Sequence, residues 1–309
     1  MSIITEEMRF RKRLCDFALK HGVTLAARRY QTNRMFVYRQ LERYDGSAQS
    51  LAFKSRKPHC HPNQHTEEEL QLIRKTHSRY GHEGRAEVYV QLRRRGYKRS
   101  YGSMCRQIRL KIKITIKKRQ RTSYRPHKEE RGQFPGAKVQ VDIKYVPCSC
   151  LRFNSHGKRY YQITAIDEYT RKRYLEIVDE KSITHTISFI KRLEDNLGMK
   201  IYTIQTDNGS EFVNNSLKSD IKTGFEEALE ELGIEHRRTA PYSPWQNGKV
   251  ERSHRIDNEQ FYEKVEFYSE ADMHKKLRRY NNRHNNISRK ALGFKSPNEV
   301  FELYLSQNN

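Results

Sequence analysis

The chain has 309 residues, with 61 Lys and Arg against 37 Asp and Glu, a formal net charge of +24. Hydrophobic residues make up only 35%, yet 19 Tyr and 13 Phe supply apolar bulk for real cores, which excludes full disorder. No run approaches the roughly 18 apolar residues of a membrane helix and the first residues lack an apolar signal core, which excludes membrane insertion and secretion as defaults.

The five Cys are irregularly spaced, which suits a reducing cytoplasm better than a disulfide scaffold. Charge is uneven along the chain. Residues 1–133 hold 33 Lys and Arg against 12 Asp and Glu, a net of +21, and residues 134–309 hold 28 against 25, a net of +3. The shift falls at Arg131-Gly132-Gln133-Phe134-Pro135-Gly136, with the Gly and Pro punctuation of a linker. The first part therefore reads as a polyanion-binding arm and the second as an ordinary folded domain.

In chain order, Glu6 to Lys20 reads as a helix, with Met8, Leu14, Phe17 and Ala18 at helical spacing, stopped by His21-Gly22. Thr24 is positioned to cap a second helix through Tyr30, and Thr32 or Asn33 a third through Tyr44. Three short helices in residues 1–50 make a helix-turn-helix candidate, whose third helix offers Arg34, Tyr38, Arg39 and Arg43 to phosphates and base edges. A second set spans 60–118. Thr66 with Glu67, Glu68 and Glu69 opens a helix towards Arg79, and Ala86 to Arg95 forms the next. Ser100 or Ser103 then caps a last helix bearing Arg106, Gln107, Arg109 and Lys111. The His59-Cys60-His61 to His65 tract lacks a paired CxxC, and Cys148-x-Cys150 is too tight, so no zinc is expected. The basic tract from Lys111 to Arg131, with a linker over 119–135, is expected to be extended and to track phosphates.

Beyond residue 134 the pattern turns to strands. Val139, Val141, Ile143 and Tyr145 alternate with Gln140, Asp142 and Lys144, which puts Asp142 on the polar face of a half-buried strand. Tyr160 to Ile166 and Tyr174 to Val178 follow as strands, Ser182 to Leu197 as a helix ended by Gly198, and Ile201 to Gln205 as a strand. Asp207 comes just past that strand, at the sharp Asn208-Gly209 turn. Phe225 to Leu232 reads as a helix and Ile234 to Arg237 as a strand. Ser243-Pro244 then makes an N-cap and first turn, starting a helix that carries Glu251 two turns in. On it Asn247, Glu251, His254, Arg255 and Asn258 share one face. Carboxylates from a strand centre, a strand end and a helix suit hard divalent cations such as Mg²⁺. A pair of such ions can clamp both the attacking and the leaving oxygen of a phosphodiester displacement.

Val141-Asp142, Thr206-Asp207-Asn208-Gly209-Ser210-Glu211-Phe212 and Asn247-Gly248-Lys249-Val250-Glu251-Arg252 resemble the three signatures of DDE transposases and integrases of the retroviral-integrase superfamily. The chain most resembles bacterial insertion-sequence transposases of the IS481/IS3-like group. Arg279-Tyr280-Asn281-Asn282-Arg283, Ala291-Leu292-Gly293 and Ser296-Pro297-Asn298-Glu299-Val300 are similar to its usual C-terminal region. The resemblance implies an α+β multi-domain chain: helix-turn-helix domains that bind the element's ends, an RNase H-like core over 136–262, and a helical C-terminal extension over 263–309. That core would be a mixed five-stranded sheet with flanking helices. Asp142, Asp207 and Glu251 would be its catalytic and metal-binding residues, holding two Mg²⁺ or Mn²⁺ ions. Asn208, Lys249, Arg252 and Arg255 would hold double-stranded DNA near the metals.

The implied activity is cleavage at terminal inverted repeats followed by strand transfer, by a homodimer or higher multimer on paired ends, in a cytoplasmic, nucleoid-associated setting. A nuclease without strand transfer and a DNA-binding repressor derived from a transposase stay open as alternatives. One departure stands out. Asp207 and Glu251 lie 44 positions apart, longer than the commonest family spacing, and the polar stretch from Val213 to Gly224 is where such an insertion fits. Phe261, Val265, Leu277, Phe294, Val300, Phe301 and Leu305 either form a subunit contact or pack back on their own core.

Overall fold

The computed structural model describes residues 4–53, 61, 63–111, 132–213, 222–240 and 243–308, in two compact units, 1–64 and 65–309. In the first unit α1 (Glu6–His21), α2 (Val23–Arg29) and α3 (Arg34–Leu41) succeed one another through tight turns. Thr5 caps α1 by accepting from the Met8 N–H. Gly22, at φ +87°, makes the turn directly into α2, so Thr24 lies inside that helix instead of capping it. Asn33 caps α3, accepting from the Phe36 N–H at 2.7 Å. The third helix stops at Leu41, short of the expected Tyr44, whose hydroxyl turns back to Asp16 on α1. Leu14, Ala18, Ala26, Ala27 and Val37 form the small core of this unit.

The second unit opens with α4 (Glu67–Tyr80), where Thr66 and Glu69 complete a reciprocal capping box. It continues with α5 (Arg85–Arg94) and α6 (Tyr101–Lys111); Ser100 accepts from the Ser103 N–H and is the residue that caps α6. Ile73, Val88, Leu92, Tyr97, Met104 and Ile108 pack together between them. His65 is buried with its ring 2.9 Å from the Tyr97 hydroxyl, so this histidine of the His-Cys tract has a structural partner. His59, Cys60, the basic tract over 112–131 and residues 214–221 of the expected insertion lie outside the described residues.

The core follows as β1 (Val139–Tyr145), β2 (Tyr161–Asp167), β3 (Arg173–Val178), α7 (Ile183–Lys191), α8 (Leu193–Leu197) and β4 (Thr203–Thr206). After these come α9 (Gly224–Glu231), β5 (Glu235–Arg238), α10 (Gly248–Asp257), α11 (Glu270–Asn286) and α12 (Pro297–Asn308). The helix expected over Ser182–Leu197 is two, interrupted at Arg192, whose carbonyl accepts from the Asn196 side chain. The sheet order is β3-β2-β1-β4-β5: β1, β2 and β3 pair antiparallel, and β4 and β5 join parallel to β1 through the crossovers that α7–α9 supply. This mixed five-stranded sheet with flanking helices is an RNase H-like core. At Gly136, φ +78°, a Cβ would meet the Lys200 carbonyl oxygen at 1.8 Å, so only glycine lets the two backbones approach at the start of the parallel pairing.

Val139, Val141, Ile163, Ala165 and Ile204 bury against Phe189, Leu193, Phe225 and Leu229 of α7–α9. Leu175 and Ile177 bury on the opposite layer against Phe261, Tyr262, Phe267, Met273 and Leu277. Between β3 and α10, Arg173 and Asp257 form an ion pair at 2.7 Å with no exposed side-chain surface. Packing runs across the boundaries expected at 118 and 263. Glu87 on α5 accepts from the Ser288 N–H at 2.7 Å, Glu83 pairs with Arg283, and Phe294 sits 5.1 Å, centroid to centroid, from both Tyr89 and Tyr101. Phe261 and Leu277 are buried and Phe301 packs on the sheet core, so these three residues pack back on their own chain. No helix among the described residues is long and apolar enough to cross a membrane.

Candidate active site

Asp142 sits in the middle of β1, the central strand of the sheet. The polar face of this strand is not solvated as its alternation suggested, because α10 lies over it and Gln140 is fully buried. Gln140 satisfies all its polar groups there. Its oxygen accepts from the Lys249 and Val250 N–H groups, and its amide donates to the Gln246 carbonyl and to Glu168. Gln205 on β4 donates to the same Gln246 carbonyl at 2.9 Å and to Asn247. The two glutamines thus pin the 3-10 turn Pro244–Asn247 to the sheet, and α10 begins only at Gly248. Ser243 makes no side-chain cap, and Glu251 lies in the first turn of its helix instead of two turns in.

Asp142 accepts from the Ile143 N–H at 2.8 Å, but burial pushes its carboxyl up to about 7, helped by the negative charge of Asp207 and then of Glu251 and Glu211. Asp207, just past β4, accepts from the Gly209 N–H at 3.1 Å, which shapes the Asn208-Gly209 turn. Glu251 is exposed, and partial desolvation raises its carboxyl. Glu211 is 5% exposed, held by Lys181 at 2.8 Å, with its Oε2 buried and, among the described residues, without a hydrogen-bond partner. A Cβ at Gly209 would come within 2.6 Å of this carboxylate. His254 lies 2.9 Å from the Thr164 hydroxyl and 3.4 Å from Asp142. Burial drives its pKa down to about 4, so at neutral pH it faces Asp142 uncharged. Lys144, lowered to about 8 by burial, donates to Asn258 at 2.6 Å and to the His254 carbonyl.

The negative charges of Asp207, Glu251 and Glu211 act on the part-buried Asp142 carboxyl, a setting whose chemistry suits a hard divalent cation. Among the described residues, no three His, Cys, Asp or Glu side chains lie close enough together to hold one ion as they stand.

The other expected contacts are distributed more widely. Arg34, Tyr38 and Arg39 are exposed on α3. On α6, Arg106 and Arg109 are exposed and Gln107 is half-buried. Asn208 donates its amide to the Thr239 carbonyl, tying its loop to the end of β5. Lys249 pairs with buried Glu168 at 2.7 Å, and Arg252 faces a separate cavity with Arg171 and Arg289. Arg255 lies 3.9 Å from Glu259. Gln140, Gln205 and Lys144 have no motif to announce them. Gln140 is nonetheless two residues before Asp142, on the same strand face, which is the signal that could have found it.

Two integrase core domain families match the chain, over residues 133–244 and 232–297. A putative integrase of Spiroplasma virus SpV1-C74 is 33% identical over 197 residues, covering 61% of this chain and 52% of the relative. The transposase for insertion sequence element IS4351 of Bacteroides fragilis is 32% identical over 109 residues, covering 35% of this chain and 30% of the relative. The chain thus spans about half the length, or less, of these relatives. A chain of the simian T-cell lymphotropic virus intasome is similar at 19% identity and a TM-score of 0.45, over 74% of each chain. With its mixed sheet, its acidic strand-end and helix motifs and an integrase core running over residues 133–297, the chain belongs to the DDE transposase and integrase superfamily.

Proposed function

We propose that the chain is a DNA transposase that binds the terminal inverted repeats of an insertion sequence, cuts the element's ends and joins the resulting 3′-hydroxyls to target DNA. The observation that carries this reading is the convergence of Asp207, Glu251 and Glu211 charge on the part-buried Asp142. Asp142, Asp207 and Glu251 would hold two Mg²⁺ or Mn²⁺ ions, which when bound offset phosphate charge and favour the deprotonated nucleophile. The protein's own share is positioning. Gln140 and Gln205 fix the start of α10, the helix that carries Glu251, over β1 and β4. Exposed Glu251 keeps the rotamer freedom to turn towards them. Neutral His254, hydrogen-bonded to Thr164, walls Asp142 without competing for its charge.

Double-stranded DNA is the partner. Arg34, Tyr38 and Arg39 on α3 and Arg106, Gln107 and Arg109 on α6 supply the forked and planar donors suited to phosphates and base edges. A homodimer or higher multimer on paired ends, in the cytoplasm beside the nucleoid, completes the reading. Similarity to a transposase and to a putative integrase supports it. The test is incubation with the DNA flanking the protein's own gene and Mg²⁺, resolving joined from merely nicked products. Joined ends are expected. Nicks alone would reduce the protein to a nuclease, and binding without either product would make it a repressor.

A further inference from the structure

A cavity of about 220 Å³ lies on the flank of α10 turned away from Asp142. Successive residues of a helix are 100° apart, so Lys249, Arg252, Ser253 and Ile256 line this cavity while Glu251, His254 and Arg255 occupy the far side. The β2–β3 turn contributes Arg171, and the segment after α11 contributes Arg289, with His284 from α11 itself. Four basic side chains therefore line the cavity, and no Asp or Glu does. Lys249 is held by Glu168, which lies outside the lining. Arg252 is exposed, and among the described residues it forms no ion pair with a carboxylate. Arg289 donates to the His284 ring at 3.1 Å, and among the described residues its buried Nε has no hydrogen-bond partner. Burial, and after it the charges of Arg173, Arg171 and Arg252, push the Arg289 guanidinium down to about 10.

We propose that this cavity is an oxyanion site that takes one phosphate group, gripped by Arg252 and Arg289. Guanidinium forks match tetrahedral oxyanions in geometry, and an anion lodged here relieves the repulsion among the arginines. The phosphate comes either from a DNA backbone or from free inorganic phosphate. In the first case, which rests on the transposase reading, the site clamps the duplex one helix width from the carboxylates.

The experiment uses the full chain and Arg252→Gln, Arg289→Gln and, as a charge-matched control at an exposed position, Arg159→Gln. The first arm follows thermal unfolding in inorganic phosphate against chloride at equal ionic strength. Wild type and Arg159→Gln are expected to gain several degrees in phosphate, and Arg252→Gln and Arg289→Gln less than half of that. Arg252 is exposed on its helix, so its variant keeps the test alive if Arg289→Gln fails to fold. The second arm is phosphate-ethylation interference on an element-end duplex. One backbone position should weaken wild-type binding roughly tenfold when ethylated and have no effect on Arg252→Gln. A response in the first arm alone assigns the site to free phosphate, and one in the second alone assigns it to DNA. Equal behaviour of wild type and Arg252→Gln in both arms overturns the site. If the wild type binds no DNA, the transposase reading fails, and the first arm alone decides the cavity.

Discussion

Of the three carboxylates proposed to bind the metal, Asp142 is the one that burial and neighbouring negative charge push up to about 7. Asp142→Asn, Asp207→Asn and Glu251→Gln should each lower strand transfer roughly a hundredfold or more in a gel assay, leaving end binding within about twofold. Mg²⁺ should raise the thermal midpoint of the wild type, because a cation that binds only the folded state stabilises it, and should not raise that of Asp142→Asn. Near α10 the reverse situation holds. Asp257 has its carboxyl held low by Arg173 and by hydrogen bonds from Gln162 and Tyr280, which outweigh its burial. A lowered folded pKa stabilises the fold above the ordinary carboxylate range, and that stabilisation is lost as pH falls through the folded value. Urea titrations should therefore show a steep acid loss in the wild type and a shallower one in Asp257→Asn. Arg173→Met, which strands the buried carboxylate, should cost about 3–5 kcal/mol at neutral pH by the same measurement.

At the scale of elements, the position of α10 decides whether the helix carboxylate reaches the strand carboxylates at all. Gln140→Ala removes the acceptor for two N–H groups at the start of that helix and leaves the Gln246 carbonyl with Gln205 alone. We expect a stability loss of about 1–3 kcal/mol together with a fall in strand-transfer rate that exceeds any change in DNA affinity, read by calorimetry and single-turnover kinetics. The α5 and α6 pair makes a second prediction. Cutting the chain at the charge boundary near 133 would strip Tyr89, Tyr101 and Glu87 of Phe294 and the Ser288 N–H. A cut near 64 falls at the boundary between the two compact units, and residues 1–64 still carry 13 Lys and Arg against 5 Asp and Glu. Expression and proteolysis of both fragment pairs should yield stable pieces from the cut near 64 and an aggregation-prone 1–133 piece. Helix existence was readable here from Thr66, Asn33 and the glycines, because capping and turn chemistry are local. Helix starts at Ser243 and Thr24 were misread because a neighbouring turn, Gly22 in one case and the glutamine-pinned segment in the other, takes over the role of the cap.

For the whole molecule, on the proposed transposase reading, one chain carries one set of Asp142, Asp207 and Glu251, while joining two ends of an element needs both held together. Light scattering with two end fragments should report a dimer or a higher even multimer, and a monomer on paired ends would count against concerted joining. By itself the sequence determined the strands and most helices, the division of charge between +21 and +3, and the three acidic motifs. Each of these rests on short-range periodicity, composition or adjacent residues, which a linear chain carries in full. Only the tertiary structure decided that the polar face of β1 lies under α10, that Arg173 and Asp257 close on one another, and that residues 283–294 receive α5 and α6. It also decided that Lys249 and Arg252 turn from the carboxylates towards a cavity with Arg171 and Arg289. The pairings of Arg173 with Asp257, of Gln140 with α10 and of Glu87 with Ser288 join residues 84 to 201 positions apart, and what selects them is desolvation: a buried amide or charge is stabilised by a partner wherever the fold brings one.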